Sequence, residues 1–102
     1  RAVAVAIHNR GWLEGQRGDL AAAQLRIEEA LAIRREILDP NDPNIADGLL
    51  LLSHVQERRG RPDEALLALR EALRIRTQAF GADHPETVKT RQRLERLSAN
   101  PR

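Results

Sequence analysis

The sequence repeats itself with a period of 42 residues, and a repeat of that length limits the folds open to the chain. The stretch Gly60–Leu73, GRPDEALLALREAL, follows the similar stretch Gly18–Leu31, GDLAAAQLRIEEAL, at this offset. The two stretches share the first glycine and the closing Ala-Leu pair. The same offset carries Pro43 onto Pro85, so the repeat covers a whole supersecondary unit. A fixed period of this size indicates stacked repeats.

Each copy has the pattern of the second helix in a helical hairpin. Gly60 permits a tight turn, and Pro62 can open the helix that follows. Ala65, Leu69 and Ala72 then recur at helical spacing on one face. Aromatic residues are only 2% of the sequence, so the core must be built from Leu, Ile, Val and Ala. Such a core suits close helix packing better than a β-sheet, and we predict an all-α fold.

Turn and breaker residues divide the chain into five predicted helices. Gly18 ends the first helix, and Asp19 can cap the second by accepting backbone N–H bonds. Asp42 and Pro43 similarly open the third helix. His84 precedes Pro85 in the second breaker, where we expect it to form a turn or cap hydrogen bond. The predicted helices span about residues 3–16, 20–38, 44–59, 62–79 and 86–98.

The residue pattern also predicts which helix faces form contacts. On the second helix, the pattern places Arg34 and the glutamates on the side that faces solvent. Gly11 and Ser53, one period apart, are expected where helices approach closely. The fifth helix is polar, so we interpret it as a capping helix. The expected contact residues are Ala23, Ile27, Ala30, Leu31 and Leu38 on the second helix, Ile45, Ala46, Leu49, Leu52 and Val55 on the third, and Val88, Leu94 and Leu97 on the fifth.

These hairpins resemble tetratricopeptide repeats, which also place glycine at the hairpin turn and an Ala-Leu pair near the end of the second helix. The 42-residue period and the segment FGADHPETV, Phe80–Val88, are similar to the kinesin-light-chain type of that repeat. The resemblance implies an α-solenoid of two hairpins and a C-terminal capping helix. We expect a single domain with repeats at 1–42 and 43–84, a capping helix at 85–98 and a tail at 99–102.

The resemblance further implies a non-catalytic interaction scaffold that binds a peptide or a partner helix. In this family the first helices of successive repeats, here the first, third and fifth, line a concave groove. Asn9 matches the family's groove asparagine. The residues expected in this predicted groove are Val5, His8, Asn9, Trp12, Asp47, Leu50, Leu51, His54, Arg58, Lys89, Gln92, Arg93 and Arg96.

Three features of the sequence allow more than one functional interpretation. Trp12 is either a binding anchor or a residue that packs against a preceding repeat. Five basic residues stand against two acidic ones after Pro85, which allows a nucleic-acid-binding helical repeat as an alternative. This alternative is the weaker one, because Trp12 is the only tryptophan available for stacking on bases. His8 and His54 could ligate a metal, but a site needs three or four ligands and no third follows. We therefore expect no metal or other cofactor, and no catalytic motif is present.

The composition predicts where the protein resides and how its first helix is used. The chain has no cysteine and no apolar span of about twenty residues, so we expect a cytoplasmic protein without a membrane segment. It has no methionine and opens in a helical pattern, so we expect a fragment of a longer protein preceded by further repeats. The first helix presents an apolar edge through Ala2, Val3, Ala6 and Leu13. Self-association through this helix is a third candidate function.

Overall fold

Five helices follow one another in the computed structural model of the chain, which describes residues 2–99. Consecutive helices pack together, and α3 also touches α1, whereas α1 and α5 share no contact in the described range. Residues 2–99 contain no strand, which confirms the predicted all-α helical repeat. The predicted tail begins at the last residue of α5, and residues 100–102 lie outside the described part. The helices are α1 (Ala2–Gln16), α2 (Leu20–Ile37), α3 (Pro43–Arg58), α4 (Pro62–Phe80) and α5 (Pro85–Ala99).

The starts of α2 and α3 are capped by the two aspartates that the sequence predicts. Asp19 accepts a hydrogen bond from the backbone N–H of Ala22 at 3.4 Å, which satisfies one of the free donors at the start of α2. Asp42 does the same for Asn44 at 2.9 Å at the start of α3. In the second breaker, Nδ1 of His84 accepts from the backbone N–H of residue 86 at 3.1 Å, as expected for a turn residue.

The core lies mainly between α2, α3 and α4. Its largest fully buried side chains include Ile27 of α2, Ile45 of α3, and Leu69 and Ile75 of α4. Ser53 is also fully buried and donates to the carbonyl of residue 50, which confirms its packing role. All five residues predicted on the inner face of α3 are buried: Ile45, Ala46, Leu49, Leu52 and Val55.

The buried face of α1 is made of small residues instead of the apolar stripe visible in the sequence. Ala4, Gly11 and Gly15 are its buried residues, whereas Val3 is 63% exposed and Leu13 is also exposed. A Cβ atom on Gly11 would lie 3.0 Å from Cγ1 of Ile27. The predicted close approach at Gly11 is therefore confirmed. The exposed apolar edge of α1 is also present.

The sequence pattern predicts Arg34 on the solvent side of α2, and this prediction is wrong. Arg34 is buried, with only 7% of its surface exposed. Its guanidinium donates from Nη1 to the carbonyl of Asn44 at 2.9 Å. A buried polar group needs such a partner, and here the partner is a main-chain oxygen on the next helix. Residue type alone places arginine at the surface, so the pattern of the sequence could not reveal this contact.

The contact face of α5 is also more polar than predicted. Val88, Leu94 and Leu97 are only half-buried, while Thr87 and Thr90 are almost completely buried. The Thr87 hydroxyl donates to the carbonyl of residue 76 at 3.3 Å, and the Thr90 hydroxyl donates to that of residue 86 at 2.8 Å. Because both hydroxyls find acceptors, α5 can pack on α4 without an apolar stripe.

Two glycines on the same face of α1 give a direct test of the α1–α2 packing. A Cβ on Gly11 would meet Ile27 at 3.0 Å and the carbonyl oxygen of Ala23 at 3.3 Å, whereas a Cβ on Gly15 would find its nearest neighbour at 3.7 Å. Both alanine substitutions gain helix propensity. We expect Gly11→Ala to unfold more easily than Gly15→Ala by about 1–3 kcal/mol in urea denaturation, because only Gly11→Ala overpacks the interface. Equal free energies of unfolding would contradict this packing.

Candidate functional site

Four residues of the predicted groove meet around one cavity between α1 and α3. The cavity has a volume of about 230 Å³, and we call it the Trp12 pocket. Trp12 comes from α1, and Leu51, His54 and Arg58 come from α3. The repeat brings them together because α1 and α3 are the first helices of consecutive hairpins and touch each other. The complete lining is Gly11, Trp12, Gly15, Gln16, Leu51, His54, Val55 and Arg58.

The Trp12 pocket combines an aromatic surface with hydrogen-bond donors. Trp12 is 49% exposed, so about half of its surface remains open to a ligand. Leu51 supplies a half-buried apolar wall that packs against the core. Arg58 donates from Nη1 to the carbonyl of Gly15 at 2.9 Å, which ties the end of α3 to the end of α1. The site is therefore amphipathic, with its cation held in place by the backbone.

A second cleft, between α3 and α5, contains two further residues of the predicted groove. Arg93 and Arg96 line it together with Glu57 and Leu97, and its volume is about 230 Å³. Arg93 forms an ion pair with Glu57, so much of its charge is already compensated within the protein. Arg96 is exposed. This cleft offers less unpaired positive charge than the sequence suggests.

Of the other predicted groove residues, Asp47 and Leu50 serve the packing of the repeats. Asp47 lies 3.1 Å from Nη2 of the buried Arg76 and forms an ion pair with it. Leu50 packs against the hydrophobic core. Asn9, Lys89 and Gln92 are exposed and line neither of the two clefts.

Val5 and His8 lie in the first half of α1, close to the buried arginine of α2. Nη1 of Arg34 is 3.4 Å from Nδ1 of His8, which can accept this hydrogen bond only while that nitrogen carries no proton. Val5 lines a cavity of about 100 Å³, which we call the Arg34 pocket. Its lining residues are Ala4, Val5, Arg34, Ile37, Leu38 and Asn44.

The two groove histidines share an electrostatic bias toward the neutral form. Burial lowers the pKa of His8, the Arg34 guanidinium lowers it further, and Asp47 opposes the shift. Burial also lowers the pKa of His54, with Arg93 acting in the same direction and Glu57 against it. Desolvation and a neighbouring cation both disfavour the imidazolium ion. At neutral pH both histidines are therefore uncharged hydrogen-bonding groups.

Several lining residues were missed by sequence reasoning. Gln16 and Gly15 belong to the Trp12 pocket, and Gln16 stands one helical turn after Trp12, a spacing that could have identified it. Glu57 and Leu97 belong to the second cleft, and Leu97 follows Arg93 by one turn. No comparable spacing identifies Arg34, because it lines the Arg34 pocket from α2, the second helix of the hairpin.

The sequence model of the tetratricopeptide repeat matches residues 2–78. The chain belongs to the tetratricopeptide-repeat family. A search of curated proteins finds no match. Tetratricopeptide repeats generally mediate protein–protein interaction and are typically non-catalytic scaffolds.

Among residues 2–99, no three His, Cys, Asp or Glu side chains cluster as a metal site would require. Over the same range, no helix has the length and apolar character to cross a bilayer. The buried hydroxyl of Ser53 is occupied by a main-chain carbonyl, so it is not presented as a nucleophile.

The lowered pKa values of His8 and His54 predict that acid weakens the fold. The unfolded chain protonates its histidines near pH 6.5, whereas the folded chain does so at lower pH. The unfolded state then binds more protons, so the free energy of unfolding is fully retained above about pH 6.5 and decreases below it. Urea denaturation at pH 7.5 and 5.5 should show this loss. Between these two pH values, the double variant His8→Gln/His54→Gln should lose less free energy of unfolding than the parent protein. An equal loss in both proteins would contradict the assignment of the acid sensitivity to these histidines.

Proposed function

We propose that this chain is a non-catalytic binding module of the kinesin-light-chain type, which receives a peptide or a partner helix along α1, α3 and α5. The observation that carries the proposal is the Trp12 pocket. An open tryptophan face beside Leu51 offers a large apolar contact area at low entropic cost. His54 and Arg58 stand at the same pocket and can orient polar groups of the ligand.

The chemistry of the pocket favours an amphipathic polypeptide segment. One apolar side chain of the ligand would stack on Trp12 and contact Leu51, because well-packed aromatic residues supply most of the energy at such interfaces. The Arg58 guanidinium retains donors beyond the one bound to Gly15, and these suit a main-chain carbonyl or a carboxylate of the ligand.

Nucleic-acid binding is the weaker alternative. Arg93 is paired with Glu57, and Arg76 with Asp47, so these cations are partly compensated before any phosphate approaches. Phosphate binding depends on free cations that release counterions. Binding of single strands also relies on aromatic stacking, for which this chain has only Trp12 and Phe80, and the ring of Phe80 already stacks on that of His84.

Self-association through α1 is a second proposed function, favoured by a comparison of equivalent repeat positions. Ile45 and Thr87, which occupy equivalent positions on α3 and α5, are both fully buried. Their counterpart on α1 is Val3, which is 63% exposed. Ala6 and Leu13 are exposed as well. A second copy that covers this edge would remove apolar area from water.

Replacing Trp12 tests the peptide-binding proposal. Peptides from a random twelve-residue display library, selected on the purified protein, should lose affinity at least about tenfold for Trp12→Ala, as expected for a central aromatic anchor. Leu67→Ala is the matched control, because Leu67 is 65% exposed on α4 and lines neither cleft of the predicted groove. It should bind like the parent protein.

Three results would contradict the proposal. The library could yield no binder, the selected peptides could bind Trp12→Ala and the parent equally, or Leu67→Ala could lose as much affinity as Trp12→Ala. Affinity for a single-stranded oligonucleotide that falls steeply with salt, and is lost in Arg93→Gln/Arg96→Gln, would favour the nucleic-acid alternative. Thermal unfolding of each variant separates lost binding from lost folding.

A further inference from the structure

Two arginines one period apart occupy equivalent places in the two hairpins. Arg34 of α2 is 7% exposed and Arg76 of α4 is 9% exposed. Arg34 donates to the carbonyl of Asn44 at 2.9 Å, and Arg76 donates to that of Glu86 at 3.4 Å. Asn44 and Glu86 are themselves one period apart. Each arginine therefore binds the second residue of the following helix, and the two sites are directly comparable.

The two arginines differ in their anionic partners. Arg76 lies 3.1 Å from the carboxylate of Asp47 and 3.5 Å from that of Glu86. One period earlier, Val5 stands at the position of Asp47 and Asn44 stands at the position of Glu86, so neither position supplies a carboxylate. In the described range, no carboxylate lies within 4.0 Å of Arg34, whose other hydrogen-bond partner is Nδ1 of His8.

Arg34, which has no carboxylate within 4.0 Å in the described range, lines a cavity. A guanidinium stays protonated in proteins, and a buried cation without an anion carries a desolvation cost. Arg34 lines the Arg34 pocket of about 100 Å³, whose remaining walls are largely apolar through Val5, Ile37 and Leu38. This volume is enough for a few non-hydrogen atoms, since a water molecule takes about 30 Å³ in the liquid.

We propose that the Arg34 pocket binds the carboxylate of an acidic side chain from the partner polypeptide, in the place that Asp47 fills on Arg76. The guanidinium pairs with the carboxylate, and the apolar walls contact the methylene groups that carry it. This inference rests on the proposed peptide-binding function and adds a chemical requirement for the partner at the Val5 end of the groove.

Titration with a small carboxylate tests the pocket without knowledge of the partner. Propionate has the carboxylate and methylene groups of a glutamate side chain, and propionamide is its uncharged analogue. In NMR spectra of the whole protein, propionate should produce saturable shifts at the Val5 methyl groups and the Arg34 guanidinium. Propionamide should bind at least about tenfold more weakly. Equal responses to both compounds, or propionate shifts no larger at Arg34 than at the exposed Arg96, would overturn the proposal.

A substitution at Val5 provides the internal test. Val5 is exposed, so Val5→Asp should preserve the fold while it places a carboxylate at the position equivalent to Asp47. We expect Val5→Asp to abolish the propionate response, because Arg34 is then already paired. Val5→Asn has nearly the same size without the charge and should retain the response. A Val5→Asp protein that still binds propionate like the parent would overturn the assignment.

Peptides then distinguish the source of the carboxylate. An acetylated and amidated Leu-Glu-Leu peptide should bind at least about fivefold more tightly than the Leu-Gln-Leu analogue, and a free carboxyl terminus on the Leu-Gln-Leu peptide should not restore the difference. Restoration by the free terminus would contradict an acidic side chain as the ligand. If these tests fail while library peptides still require Trp12, only the carboxylate inference is wrong. If library peptides fail but propionate binds, only the peptide-binding function is wrong.

Discussion

Buried arginines at the end of the second helix of each hairpin hold successive repeats in register. Arg76 contacts the carboxylate of Asp47 on α3, the hydroxyl of Thr90 on α5 and the backbone at the start of α5. One side chain therefore joins three helices. Because a buried guanidinium needs these partners, a displacement of α5 relative to α3 would leave a charge without compensation. This requirement, together with the packing of Ile75, fixes the relative positions of the first helices along which ligand binding is proposed.

The two halves of α1 contribute to pockets of different chemistry. At one end, the ring of Trp12 and the backbone-anchored Arg58 form an amphipathic pocket. At the other end, Arg34 donates to a main-chain carbonyl and pairs with no carboxylate among residues 2–99, and Val5 stands where the second repeat has Asp47. The first repeat therefore keeps the contact between the buried arginine and the next helix, and the charge of Arg34 is the one proposed to bind a carboxylate of the partner. A partner that spans α1 would meet an apolar anchor point and a cationic one.

The sequence predicts the helices to within one or two residues, because their ends depend on local chemistry. Asp19 and Asp42 act on amide groups two or three positions away, so their roles can be read from the chain. The grouping of Trp12 with Leu51 follows from the repeat offset and helical spacing. Arg34 could not be placed correctly, because its buried state depends on a carbonyl presented by another helix. The packing role of Asp47 was missed for the same reason, since its partner lies on α4.

A polypeptide ligand is proposed to occupy the groove between α1 and α3, and NMR mapping of a bound peptide on the protein tests this proposal. With a peptide selected on the intact protein, the largest chemical-shift changes should fall on the indole N–H of Trp12, the methyl groups of Leu51 and the ring of His54. Leu25 and Leu67, which are exposed on α2 and α4, should change little. Largest changes at Leu25 and Leu67, with Trp12 unaffected, would contradict the account.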